Sequence, residues 1–390
     1  MEKIRIGDAC DILNGYAFKS ENYVDSGIRI IRISNVQKGY IEDNTPAFYS
    51  LDTAGIDKFM LEQGDLLISL TGNVGRVAIL GEELLPAALN QRVACLRLKS
   101  DIISKSYLFH ILNSNFFEQQ CIMAAKGVAQ KNMSTEWLRN YEIPLYALDQ
   151  QEKIVAVLNA LQNVMASRRH ELQKLDDLVK ARFGELFGDT FLNSKAWSEV
   201  PLETMADIVS GITKGRKTRE QNLVEVPYMA VSNVKEGYID WTTVKTIEAT
   251  EQEIDQYRLL PDDVLMTEGG DPDKLGRGAI IKTPLENCIH QNHIFRVRLD
   301  KQRILPVYFE EYLQHQRAKR YFLGCAKQTT GIASINMKQL KMLPVLLPPV
   351  ELQNQFTAFV EQTDKSKAVI QKNLDEARLL FDSLMQEYFG

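Results

Sequence analysis

Apolar positions follow two different spacings in this chain, and the pattern switches twice. Over residues 1–148, and again over 199–349, short apolar runs are closed by Gly, Asn or Asp. Examples are IRIIRISNV (28–36) and GDLLISLTG (64–72). Such runs predict short strands ended by turns. The stretches 106–125 and 307–326 predict helices at matching places in the two parts. Over 149–187 the spacing becomes four-three, on Ile154, Leu158, Leu161, Met165, Arg168, Leu172, Leu175, Val179, Arg182 and Leu186. Over 350–390 it recurs on Phe356, Val360, Thr363, Lys367, Ile370, Leu374, Ala377, Phe381, Leu384 and Tyr388. Most of these positions are apolar, which predicts one long helix after each strand-rich part, with a coiled-coil seam along it. Each helix has one long apolar stripe, which either packs on its own domain or, as the stronger reading, pairs with the other copy as its best available partner. Asp149 with Glu152 has the spacing of a capping box, and Pro348–Pro349 stand where proline is tolerated at a helix start.

The two spacings repeat because the sequence repeats. RISNVQKGYIE around Asn35 returns as AVSNVKEGYID around Asn233. LEQGDLLISLTG matches LLPDDVLMTEGG, so that Asp65 faces Asp263. GRVAIL matches GRGAII, the stretch around Asn90 matches that around His290, and GELFG at Gly188 matches QEYFG at Gly390. The offset stays near 200 residues, far beyond a solenoid unit. The chain is therefore expected to be a tandem duplication. A first strand-rich domain covers 1–148 and a helix 149–187. A linker of 188–198 leads to a second domain of 199–349, followed by a second helix of 350–390. The fold class is α/β (α+β).

Composition narrows the function. In 390 residues, 45% are apolar and 25% charged, as in ordinary globular chains. There is no run of 18 apolar residues and no apolar signal core, so neither a membrane span nor export is expected. The five cysteines are scattered and odd in number, which fits reduced thiols in a cytoplasmic protein. The net charge is −5, and neither strand-rich part is basic: 15 basic against 17 acidic side chains in the first, 20 of each in the second. Any phosphate-binding surface must be a local patch.

Motifs of self-contained catalysis are missing. There is no dinucleotide or Walker phosphate loop, no Asp/Asn-Pro-Pro-aromatic tetrad, no Asp/Glu-x-Lys tripeptide and no Gly-x-Ser-x-Gly elbow. Cys288, His290 and His293 have the residue types of a zinc site, but their first-half counterparts do not, so no metal is expected. What recurs is a set of loops pairing glycine with polar or basic groups: TGNVGR with GGDPDKLGR, NQR with HQNH, and KGVAQKN with KQTTG. Glycine lets backbone approach a ligand closely, Arg and Lys suit phosphates and guanine, and Asn and Gln suit adenine. The residues alone leave plain turns and solvated loops open beside nucleic-acid contact. Candidate DNA-binding residues in the first half are Lys19, Asn35, Thr71, Asn73, Arg76, Asn90, Gln91, Arg92, Lys126 and Lys131. In the second they are Lys214, Arg216, Lys217, Arg219, Asn233, Lys274, Arg277, His290, Gln291, Asn292, His293 and Lys327. TKGRKTR, with four basic residues and no acid, is the densest basic patch.

The order of SNV..GYI, GD(L/V)L before a glycine loop, I-P-L or L-P-P before Q..Q/E, and long helices ending in LFG and YFG resembles the specificity subunit of type I restriction–modification systems. The departure is IPLYAL, which lacks the double proline. The resemblance implies two target recognition domains, each reading one half of a split double-stranded DNA site, with antiparallel helices holding them apart. It further implies two modification subunits carrying S-adenosylmethionine and methylating adenine, and two restriction subunits using ATP and Mg to cleave. The chain itself then has no catalytic role. The other readings are a self-contained DNA enzyme with a divergent active site, or a coiled-coil scaffold. Arg76 with Asn90–Arg92 is expected to read one half-site, and Arg277 with His290–His293 the other.

A helix of 39 residues is about 58 Å long at about 1.5 Å per residue, and antiparallel pairing makes it a ruler for the gap in such a site. Inserting four residues near Leu186 adds about one turn, about 6 Å. It should lengthen the preferred gap by one or two base pairs with both half-sites unchanged, read by mapping methylated sites. An unchanged gap with undiminished methylation would show that the helices are not the ruler.

Overall fold

The computed structural model describes residues 2–127, 131–216, 222–271, 275–329 and 332–390. The chain divides into two compact units, one of Met1–Arg169 with Lys372–Gly390, the other of His170–Gln371. The strands that frame the first unit are β1 (Cys10–Asn14), β2 (Ile28–Ile31), β3 (Leu66–Ser69), β4 (Val77–Ile79), β5 (Ala87–Leu89) and β6 (Val93–Leu98). Their counterparts in the second are β7 (Ala206–Ser210), β8 (Val224–Met229), β9 (Val264–Thr267), β10 (Gly278–Ile280), β11 (Ile289–His290) and β12 (Ile294–Leu299).

Both units use one topology. A four-stranded antiparallel sheet has the order β1-β6-β3-β4 in the first and β7-β12-β9-β10 in the second. Beside it a parallel pair, β2 with β5 or β8 with β11, starts a smaller sheet. The central strands β3 and β9 are buried along their whole length, so they read as continuous apolar runs rather than as alternation. In each unit a carboxylate pins the loop before the central strand. Asp65 takes a fork from Arg97, with Nε at 2.9 Å and Nη2 at 2.7 Å, and accepts from the Glu62 N–H at 2.8 Å. Asp263 does the same with Arg298, at 2.8 Å from each nitrogen, and with the Leu260 N–H at 2.7 Å. Buried charges persist when paired and hydrogen-bonded in this way.

The expected helix over 106–125 is two helices, α1 (Lys105–Leu112) and α2 (Asn115–Ala124). The Ser114 side chain breaks it by capping α2 through the Phe117 N–H. The stretch over 307–326 is likewise two, α4 (Pro306–Gln314) and α5 (Gln316–Cys325), parted at His315. The long helices are α3 (Leu148–Phe187) and α6 (Val350–Phe389). Because α3 begins at Leu148, Asp149 lies in its first turn rather than at the cap, where its charge still favours the helix N-terminus. None of the twenty four-three positions is fully exposed, so the sequence period marks the packed face. In the second unit Phe187 meets Phe356 with ring centroids 5.7 Å apart, and Asp176 pairs with Lys367 at 2.6 Å. Equal steps back along α3 and forward along α6 make the pair antiparallel. In the first unit Ile154 and Leu158 share a core with Met385 and Phe389, in the same sense.

Two glutamines fasten these helices to their units. Gln151 accepts from the Ser104 N–H and donates to the Ile102 and Tyr146 carbonyls, all at 2.8 Å. Gln353 accepts from the Leu305 N–H at 2.8 Å and donates to the Arg303 and Pro348 carbonyls at 3.1 and 2.9 Å. Both side chains are fully buried, so each amide makes its three bonds out of reach of water. Gln353→Ala should cost about 2–3 kcal/mol by urea unfolding, because it strands buried polar groups. The exposed neighbour Gln355→Ala should stay within about 0.5 kcal/mol. Equal effects from the two would contradict this anchoring role.

Candidate nucleic-acid interface

The matched loops converge at one end of each unit through main-chain hydrogen bonds. In the first unit the Leu70 N–H donates to the Arg92 carbonyl at 2.9 Å, and the Met133 N–H donates to the Leu70 carbonyl at 2.8 Å. Gly72 N–H reaches the Lys131 carbonyl at 2.9 Å, and Gln91 N–H the Tyr16 carbonyl at 3.0 Å. Four segments, around residues 16, 70–73, 90–92 and 131–132, thus form one cluster. Thr71 donates to the Asn132 side chain at 3.1 Å. Asn73, Gln91, Arg92, Lys126 and Lys131 are exposed, and loops 71–76, 90–92 and 126–132 hold no acid. This is a local basic and amide-rich surface on an otherwise acidic unit.

The second unit repeats the cluster. Glu268 N–H donates to the His293 carbonyl at 3.0 Å, and Ile335 N–H to the Glu268 carbonyl at 2.9 Å. Asn292 N–H reaches the Ile212 carbonyl at 3.0 Å. Gly15 and Gly211 hold equivalent places: a Cβ on either would lie 2.2 Å from the Asn90 carbonyl oxygen or 1.9 Å from that of His290. Only glycine lets these segments lie against each other.

These bonds correct the alignment of the two halves. Asn90 bridges Tyr16, and Gln291 bridges Ile212. The equivalent pairs are therefore Asn90 with Gln291, Gln91 with Asn292, and Arg92 with His293, one residue beyond the sequence match. His290 takes the place of Leu89, at the end of the parallel strand, and is completely buried as Leu89 is. Its Nδ1 lies 3.1 Å from the Ile294 carbonyl. His290 is thus a core residue and not a DNA contact. Cys288 is also buried, while His293 is exposed and bonded to Glu268, so the three serve different neighbours.

Other expectations change as well. Asn35 and Asn233 are buried and hold their own turns. Asn35 accepts from the Arg32 N–H at 2.9 Å and donates to the Glu42 carbonyl at 2.8 Å. Asn233 accepts from the Ala230 N–H and donates to the Asp240 carbonyl, both at 2.9 Å. With both ends of the amide engaged, neither reads a base. Asn90 is buried and accepts from the Arg92 N–H at 3.2 Å. Arg216 forms a fork on Glu253, with Nε at 2.6 Å, so the basic run finds its acid 37 residues away and loses that charge for phosphate. The same contact holds the Glu253 carboxyl below its usual range. Lys214 is exposed. Lys217, Arg219 and Lys274 lie outside the described residues. Arg76 is half-buried against Gln37, and Arg277 is half-buried with its carbonyl accepting from the Thr267 N–H at 3.2 Å. Gly75 and Gly276, taken as ligand-approach glycines, face helices instead: a Cβ would meet Cys121 at 2.7 Å or the Phe322 ring at 2.2 Å. Lys19 and Lys327 are exposed, Lys19 beside Glu21 at 3.7 Å; Gln291 and Asn292 are half-exposed on their loop.

Two residues absent from the sequence reading join the surface. Tyr16 is 43% exposed and braced edge-on by Phe18, with ring centroids 5.0 Å apart. Glu268 receives the His293 ring. Both are invisible to a search for basic and amide runs. Among the described residues no group of His, Cys, Asp and Glu could hold a metal ion, and no helix is long and apolar enough to cross a membrane.

Compared with known families, the chain matches the type I restriction modification DNA specificity domain over residues 1–176 and again over 194–378. This chain belongs to that family. It carries the specificity domain twice, which is the architecture of a type I specificity subunit. Relatives include the type I restriction enzyme EcoKI specificity subunit of Escherichia coli strain K12. It is 23% identical over 394 residues, covering 96% of this chain and 84% of the relative. The EcoBI specificity subunit of Escherichia coli is 23% identical over 414 residues, covering 98% and 83%. The fold is shared with the S subunit of a type I restriction-modification system from M. genitalium. That chain has a TM-score of 0.57 at 15% identity, with 100% of this chain and 96% of that one covered. A chain from a structure described as the basis of complex assembly and conformational transition of the type I R-M system has a TM-score of 0.62 at 16% identity. It covers 99% of this specificity chain and 97% of its own length.

Burial of His290 yields a pH prediction. Desolvation, aided by the nearby Arg296 charge, pushes its pKa down to about 3 from 6.5. As pH falls below about 6.5 the unfolded chain takes up this proton and the folded chain does not, so stability declines between about 6.5 and 3. His290→Leu, the residue of the first half, should remove this share of the acid limb in urea titrations. His110, whose pKa burial also lowers, keeps its own share. An identical acid limb in the variant would contradict the burial.

Proposed function

We propose that this chain is the DNA-reading component of a type I restriction–modification complex and performs no chemistry itself. Its first loop cluster reads one half of a split double-stranded site and its second reads the other. The observation that carries this reading is the repeated main-chain scaffold with unlike side chains at equivalent places: Leu70 and Arg92 in one unit, Glu268 and His293 in the other. A duplicated catalytic site would keep its chemical groups in both copies, whereas a duplicated reader changes them. Exposed Lys126, Lys131 and Arg92 supply phosphate attraction in the first unit, and the amides supply base contacts. S-adenosylmethionine-dependent adenine methylation belongs to two modification subunits. ATP- and Mg-dependent cleavage belongs to two restriction subunits, all in the cytoplasm. The α3 and α6 pair serves as the ruler between half-sites.

The test is reconstitution. The purified chain alone should bind no methyl donor and modify no DNA. With its modification subunits it should bind its site with an affinity that falls linearly in log salt, and Lys126→Ala with Lys131→Ala should flatten that slope by about one to two. Methylation by the isolated chain, or salt-independent binding by the complex, would refute this function.

A further inference from the structure

The second loop cluster contains a carboxylate where a DNA surface should repel one. Glu268 sits between the central strand β9 and the short Gly269–Gly270 strand, and its backbone is fixed on both sides by His293 and Ile335. Its carboxylate oxygen Oε2 lies 2.5 Å from His293 Nδ1, and the two side chains are 32% and 56% exposed. The first unit has Leu70 and Arg92 at these places, so the pair belongs to one reader only.

We propose that Glu268 is a positioning residue that makes His293 a base-reading group of chosen polarity. This rests on the DNA-reading function above. A carboxylate on Nδ1 requires the proton there, since an ionised carboxylate only accepts. The remaining nitrogen, Nε2, then carries a lone pair in the neutral ring. The Asn292 amide nitrogen stands 3.5 Å from Nε2, too far for a firm hydrogen bond, so that lone pair stays available to a base. Nε2 points into the amide-rich loop rather than into the core, so it is the atom offered to DNA. An acceptor there matches an exocyclic amino group, adenine N6 or cytosine N4, and faces guanine O6 or thymine O4 with lone pair against lone pair. The carboxylate is tolerated because the imidazole occupies it, and it also locks the ring plane, as outer partners do for other working histidines. The first reader has a guanidinium at the same place, which can only donate. One scaffold thus presents opposite polarities at equivalent positions of its two halves.

Two measurements test this. The chain has five histidines, so a nitrogen-15 histidine spectrum of the full-length protein at pH 8 can be assigned with His293→Gln. His293 should be the Nδ1–H tautomer in the wild type and lose that bias in Glu268→Gln. Selection of bound sites from randomised DNA by the complex with modification subunits is the second. Glu268→Gln and His293→Gln should relax preference for an amino-bearing base at the same single position of one half-site, by about tenfold or more, with all other positions unchanged. If Glu268→Gln leaves the tautomer unaltered, or leaves the selected site unchanged while specific binding persists, this inference is overturned and DNA reading stands. If the wild-type complex selects no sequence at all, DNA reading falls and takes the inference with it.

Discussion

Residue 70 gives its N–H to carbonyl 92 and receives N–H 133 at its own carbonyl, and residue 268 makes the same two bonds with 293 and 335. Everything offered at the loop ends depends on this pair of main-chain bonds. They join three loops far apart in sequence without using a side chain. Backbone groups must be satisfied wherever they are covered, so the join persists when the side chains change. That freedom lets a leucine in one copy stand where a glutamate stands in the other, and an arginine where a histidine stands. Behind the loops, the paired Asp65–Arg97 and Asp263–Arg298 forks hold the central strands, where side-chain chemistry is kept the same in both halves.

The long helices obey a stricter rule. Their four-three positions are all withdrawn from full exposure, and Gln151 and Gln353 bond the first turn of each helix to three backbone groups of the preceding domain. The helix direction is therefore set at its root by hydrogen bonds and along its length by apolar packing. Phe183 and Phe187, neither on the expected seam, add a second aromatic surface that packs on Tyr308 at 5.6 and 4.8 Å. The second unit's α3 segment is thereby seated on the domain itself as well as on α6.

The helices and the strand frame could be read from the sequence because periodicity records which face is buried, and the burial is large and continuous. The loop surface was only partly legible. The slip of one residue at Asn90 arose because aligning Gln91 with Gln291 looks natural. The strand register instead aligns Val93 with Ile294, the first residues of β6 and β12. The buried roles of Asn35 and Asn233 could not be separated from base reading, since an amide that closes its own turn and one that faces adenine are the same residue type. The Arg216–Glu253 pair was not legible in the basic run, because Glu253 is distant in sequence and reaches it only through the fold. Glu268 carries no signal of its own in the sequence, because its partner His293 becomes its neighbour only when the loops close.

The central claim is that each loop cluster reads its own half of one site. The most direct measurement is to map methylated sites in cells carrying the complex, first with the native chain and then with Gln91, Arg92 and Lys131 all changed to alanine. The expected result is a site in which one half is altered or degenerate while the other half and the gap are kept. A change in both halves together, from substitutions confined to one cluster, would contradict the account.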